Sequence, residues 1–259
     1  MVAFKDRTGE RFISNEGCEF VIVEYKNAKN VLIEFQDEYK FRKSTTYNVC
    51  KTKEIANPFH PKVMCHGYIG VGEHKIRENG KPTKAYRYWC SMLERGFSEE
   101  FKKNFPTYKD VTVNSECFCF QDFGEWFDNN YYEIEGETMC LDKDILIKGN
   151  KEYSFNTMIF VPHRINSLFT KSDVARGDCP IGVSYKKEAG RYQANCSIVG
   201  ENGNKKHKFL GYYDNPHKAF LAYKEFKEAY IKQVADEYKD KIPQRLYDAM
   251  YVWEVEEND

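Results

Sequence analysis

The sequence predicts an α+β, multidomain chain. Three observations carry this. Strand-like alternation fills the first 57 residues, with Val31, Ile33 and Phe35 on one face. Three short strand-like runs occur between Ile181 and Tyr213, split by glycine-bearing turns. A single helical stripe then follows, through Ala219, Tyr223, Phe226, Tyr230, Val234 and Tyr238.

The elements follow in order. Phe20–Tyr25 and Val31–Phe35 are strands around an Asn27–Asn30 turn, and a third strand is expected from Tyr39 to Val49. Residues 1–57 thus read as a small β module, SH3-like or a simple meander. The Asn57-Pro58-Phe59-His60-Pro61 run marks its end. Residues 58–170 read as a helical region that ends in a ββα unit. Its aromatic stripes, Tyr86/Trp89/Met92/Leu93 and Phe118/Phe120/Phe123/Trp126/Phe127, have the spacing of core-facing helices. Phe105-Pro106-Thr107-Tyr108 links the two. Met139–Leu146 and Ile159–Val161 then form a hairpin that runs into a short helix.

Residues 171–238 read as a three-stranded antiparallel sheet plus one helix. Gly190 and the Gly200–Asn204 cluster turn the chain. Asp214-Asn215 caps the helix, and Pro216 occupies its tolerant first turn. Residues 239–259 read as an acidic helical tail, with Ile242-Pro243 breaking the preceding helix.

Composition narrows the function. The chain has 259 residues and net charge −1, so a nucleic-acid surface must be local rather than global. Nine cysteines form no even disulfide framework, and the opening Met-Val-Ala-Phe-Lys-Asp-Arg is polar. Free thiols, no secretory leader, no membrane partner and a cytoplasmic location are the expectations. His60, Cys65, His66 and His74 fit no zinc spacing.

Local charge does point to nucleic acid. Between Arg176 and Lys208 stand seven basic residues against Asp178, Glu188 and Glu201. Alternation sends Ile181, Val183, Tyr192, Ala194 and Leu210 toward the helix. It leaves Ser184, Lys186, Arg191, Gln193 and Asn195 on or near the open face. Such side chains contact phosphates and read base edges in a major groove. The same pattern also suits an ordinary solvated face.

The run Arg-Gly, Gly-Val, Gly-Arg-Tyr-Gln-Ala, Phe-Leu-Gly-Tyr-Tyr-Asp and Lys-Ala-Phe-Leu-Ala-Tyr-Lys resembles the Apetala (ethylene-response-factor) DNA-binding domain over about sixty residues. That family lays its sheet in the major groove. The resemblance implies double-stranded DNA as partner, with Arg176, Ser184, Lys186, Arg191 and Gln193 as contacts. Local charge adds Lys187, Lys206 and Lys208, and the strand alternation adds Asn195.

The run from Met139 to Asn166 resembles the HNH endonuclease motif. The loop-ordering Asn falls on Asn150 and the last helix ligand on Asn166. The general-base His position holds Lys143. A lysine titrating near ~10.4 cannot accept a proton at neutral pH unless it is strongly desolvated. An active version would use Asp142, Lys143, Asp144, Asn150 and Asn166, with Mg²⁺ or Mn²⁺ on Asp142 and Asp144. An inactive version needs no cofactor and keeps the ββα unit for its shape. In element order the whole chain is similar to phage and mobile-element HNH/Apetala proteins related to homing endonucleases. The resemblance implies a phage or prophage source and a place in the host cell cytoplasm. Three readings stand: a sequence-specific DNA-binding protein with a degenerate nuclease site, an active metal-dependent endonuclease, and an anti-defence factor whose partner is a host protein.

Overall fold

The structure, a computed structural model, describes residues 5–170, 179–199, 205–257 and 259. It is mixed α+β with several small sheets. The chain divides into two compact units. One holds residues 1–109 and 113–126, the other 110–112 and 127–259.

The first unit opens with an antiparallel sheet whose strands keep sequence order: β1 (Arg11–Ile13), β2 (Glu19–Asn27), β3 (Asn30–Phe35) and β4 (Arg42–Thr45). Val31, Ile33 and Phe35 are buried on one face of β3, with Phe20 and Ile22 beside them on β2. The expected third strand is shorter than the sequence suggested. It stops at Thr45, because Thr46 Oγ1 accepts the Val49 N–H and starts helix α1 (Tyr47–Thr52). The helix buries Cys50 against the same core. A two-residue hairpin, β5 (Arg77–Glu78) and β6 (Lys81–Pro82), precedes α2 (Lys84–Phe97) and α3 (Glu99–Asn104). Thr83 caps α2 and Ser98 caps α3. Trp89 and Leu93 of α2 are fully buried, and Trp89 Nε1 donates to the Cys117 carbonyl at 2.9 Å. The His66 ring stacks on Phe97 at 3.7 Å between centroids.

Two short elements lead into the second unit: β7 (Thr112–Val113) and helix α4 (Phe120–Asn130). Within that unit, β8 (Met139–Asp142) pairs antiparallel with β10 (Ile159–Pro162), and α5 (His163–Leu168) follows at once. The two-residue β9 (Glu152–Tyr153) lies between them in sequence. Next come β11 (Val183–Lys186), β12 (Arg191–Val199) and β13 (Lys205–Tyr213), an antiparallel sheet in sequence order. Helix α6 (Pro216–Tyr238) packs across this sheet, and α7 (Gln244–Tyr251) follows. Asn215 Oδ1 accepts the His217 N–H at 2.8 Å, so the capping read from the sequence is present.

Helix α6 spans roughly 34 Å at 1.5 Å per residue. Its two halves bury different partners. Ala219, Phe220 and Tyr223 meet Val183, Ala194 and Cys196 of the three-stranded sheet. Tyr230, Ile231, Val234, Ala235 and Tyr238 share a core with Ile159 and Val161 of β10, Ile165 and Leu168 of α5, and Leu246 and Met250 of α7. Each large side chain buried this way contributes about 1.5–3 kcal/mol. Gly182 makes the first contact possible. Its φ is +75°, and a Cβ there would lie 2.1 Å from the Tyr223 ring.

Candidate nucleic-acid interface

The pairing register decides which side chains share the uncovered face of the β11–β12–β13 sheet. Residues directly opposite each other in an antiparallel pair project to the same side. Ser184 stands opposite Gln193, and Gln193 opposite Tyr212. Lys186 stands opposite Arg191, Asn195 opposite Phe209, and Ser197 opposite His207. Val183, Ala194 and Cys196 alternate with these and are buried against α6. The sequence-derived residues Ser184, Lys186, Arg191, Gln193 and Asn195 therefore lie together. Gln193 Nε2 donates to Asn195 Oδ1 at 3.2 Å. Arg191 pairs with Asp214 at 3.2 Å between two exposed side chains, a contact worth little in water.

The other candidates fall elsewhere. Lys187 sits in the turn between β11 and β12, where its carbonyl accepts the Gly190 N–H. Lys206 is opposite Ile198 and Lys208 opposite Cys196, which puts both on the side that meets α6. Arg176 lies outside the described residues.

Four members of the face escaped sequence reasoning: Ser197, His207, Phe209 and Tyr212. The register slips between Ala194 and Asn195, where Ala194 pairs with Gly211 and Asn195 with Phe209. Leu210 is the extra residue, and Gly211 takes φ +134°. Such a bulge reverses the expected alternation beyond it. Phe209 and Tyr212, three apart, thus share one face with ring centroids 5.1 Å apart, 50% and 46% exposed. Ser197 Oγ and His207 Nδ1 lie 3.2 Å apart beside them.

The acidic end of the chain is held mainly along α6 and reaches the rim of the open face, where Val255 and Asp259 line one cavity with Asn195, Ser197 and His207. Glu257 accepts from Ile181 N through its carbonyl and contacts His217 Nδ1 at 2.6 Å through its carboxylate. The Val255 carbonyl accepts from Lys224, and the Val255 side chain is buried beside Phe220 and Tyr223. Lys148 holds Asp259 at 2.8 Å and Glu256 at 3.2 Å. None of these partners belongs to the open face.

The loop after β8 holds the residues expected of a nuclease. Asp142 Oδ1 accepts the N–H groups of Asp144 and Ile145, each at 2.8 Å, and so forms the turn itself. Burial and the neighbouring Asp144 carboxylate push the Asp142 carboxyl up to about 6, against the pull of those two N–H groups. Lys143 is 8% exposed; its Nζ lies 3.5 Å from Asp144 and 5.8 Å from the centre of the Tyr153 ring. Asn150 Nδ2 donates to the carbonyls of Lys143 and Glu152, both at 2.7 Å, and closes the loop. Asn166 is half-buried on α5, and its carbonyl accepts from Phe169 N and Thr170 Oγ1.

Among the described residues no three His, Cys, Asp or Glu side chains are grouped to hold a metal ion. Asp142 has already spent one oxygen on the turn, and Asp144 faces Lys143. These donors do not fit Mg²⁺ or Mn²⁺, which ask for several oxygen ligands in near-octahedral array. No helix among the described residues is long and apolar enough to cross a membrane. Comparison of the chain with protein-family models, with curated proteins and with solved structures gave no match.

Proposed function

We propose that the chain is a sequence-specific, double-stranded DNA-binding protein of phage type that docks through the open face of the β11–β12–β13 sheet. In this reading residues 171–238 are an Apetala-like domain. The β8–β10–α5 unit is an HNH-like ββα fold kept as scaffold, and the first 57 residues are a docking module. One observation carries it. A single uncovered face joins Lys186, Arg191, Gln193, Asn195 and the Phe209–Tyr212 pair, while the acidic end is bound along α6. Cations meet phosphates, amides read base edges, and apolar groups meet thymine methyls. The loop geometry supports the scaffold role, since Asp142 and Asn150 spend their polar atoms on holding the turn.

The competing reading, a metal-dependent endonuclease, asks Asp142 and Asp144 to bind an ion that their geometry does not suit. Fluorescence anisotropy with random and selected duplexes tests the DNA reading. Affinity should fall linearly with the logarithm of salt, with a slope near −3 for about three phosphate contacts. Absence of binding at low salt would refute it. Incubating supercoiled plasmid with Mg²⁺ or Mn²⁺ tests the competitor, and the expected result is no nicking.

A further inference from the structure

Helix α6 carries a lysine whose surroundings do not match its charge. Lys227 is 9% exposed, one turn beyond Tyr223, beside the buried thiol of Cys196. Burial lowers its tendency to hold a proton. Burial also pushes the Cys196 thiol up, so Cys196 stays neutral and supplies no counter-charge. The acids nearby are committed to other groups. Glu228 pairs with Lys224 and accepts the Val255 N–H. Asp259 is held by Lys148 at 2.8 Å and by the Glu256 N–H at 2.9 Å. Among the described residues Lys227 makes no hydrogen bond or ion pair.

Lys227 lines a cavity of about 470 Å³, within the range that small ligands occupy. Ser197, Asn195 and His207 supply polar wall, while Phe169 and Trp253, with ring centroids 4.5 Å apart, supply flat apolar wall. His207 is bonded to Ser197, so it too leaves the ammonium unanswered. Buried charges in proteins are paired or hydrogen-bonded, and an ammonium opening into a ligand-sized space fits an anion that arrives from outside.

We propose that this cavity binds a small organic anion, with its carboxylate or phosphate on Lys227 and a planar apolar body against Trp253 and Phe169. The cavity shares Asn195, Ser197 and His207 with the rim of the open face, but the anion site rests on Lys227 and not on the DNA reading.

Titration of the full chain with 1-anilinonaphthalene-8-sulfonate, an aromatic sulfonate, tests this by fluorescence. The expected result is saturable one-site enhancement that benzoate or adenosine monophosphate displaces; the stronger competitor tells a carboxylate ligand from a phosphate ligand. Lys227→Met should weaken binding by about tenfold or more, and Lys227→Arg should stay within about threefold. Ser197→Trp, made at an exposed wall position, should also abolish it and decides the matter if Lys227→Met does not fold. Wild-type affinity in folded Lys227→Met or Ser197→Trp overturns the site, as does enhancement that never saturates or that neither competitor reduces.

Discussion

The Tyr230 hydroxyl bridges both polar backbone groups of Val199, accepting from its N–H at 3.0 Å and donating to its carbonyl at 2.8 Å. Val199 ends β12 beyond the reach of β11, which pairs only as far as Ala194. A helix side chain thus completes a strand edge that would otherwise bury unpaired groups. Arg164 Nε, from α5, adds a third bond by donating to the same carbonyl at 3.1 Å.

Tyr230→Phe should therefore cost about 1–3 kcal/mol, because it leaves a buried N–H unanswered while keeping the ring. Urea unfolding measures this. A loss below about 0.5 kcal/mol would mean that the edge finds water instead.

Arg164 also binds Glu237 at 2.7 Å and lies over the Tyr238 ring. Arg164 is buried while Glu237 is exposed, so losing Arg164 removes its bonds to Glu237 and to the Val199 carbonyl from a buried site. Arg164→Ala should destabilise by about 3 kcal/mol, and Arg164→Ala with Glu237→Ala by less than the two single losses added. Strict additivity in the double-mutant cycle would show that the pair is not coupled.

Asp142 should give the second unit an acid-side signature. Its folded pKa lies above its ordinary value, at about 6. Its favourable contribution is then complete below about pH 4 and is lost as pH rises through 6. Asp142→Asn keeps the oxygen that accepts both N–H groups and cannot ionise. It should be more stable than wild type by about 2 kcal/mol at pH 7 and equal to it near pH 3.5. Urea midpoints at the two pH values decide; an equal gap at both would remove burial as the cause.

Gly211 should be needed for the open face. Alanine at φ +134° costs about 1–3 kcal/mol, and its Cβ would press on the Tyr213 hydroxyl at 3.2 Å and its ring at 3.3 Å. Gly211→Ala should destabilise the sheet and move Phe209 away from Tyr212, seen as lost cross-peaks between the two rings in NMR spectra. Retention of those cross-peaks would mean that the bulge survives without glycine.

The register also separates two groups of cations. Lys186→Ala with Arg191→Ala should weaken duplex binding by about tenfold and lower the salt slope by about 2. Lys206→Ala with Lys208→Ala, on the α6 side, should do less. Equal losses from the two pairs would place the duplex across the β13 edge rather than on the face.

Much of this was legible from local pattern. The alternation of Val31, Ile33 and Phe35 and the stripe from Ala219 to Tyr238 each mark a buried face that the structure contains. Asn215 and Pro216 announced the start of α6 through capping chemistry. What stayed hidden depends on partners distant in sequence or on a one-residue offset. Leu210 gives no sign in the sequence that it is the extra residue of a bulge, and strict alternation sends two residues three apart, such as Phe209 and Tyr212, to opposite faces. Charge singles out Lys206 and Lys208, and only pairing to Ile198 and Cys196 shows their side. Arg164, between His163 and Ile165, reads as a surface residue until Val199 and Glu237 are found beside it. Thr46 looked like strand, because threonine suits strands and caps alike.

Helix α6 serves two masters on one rod, the sheet at its first half and the hairpin unit at its second. Cutting the chain near residue 170 would strip the rear half of that rod of its covering and bare Ile231, Val234 and Ala235 to solvent. The excised piece should be sticky and poorly behaved in isolation. The same stiffness means that tilting the sheet at one end presses on Ile159, Val161 and Ile165 at the other, so the two are disturbed together.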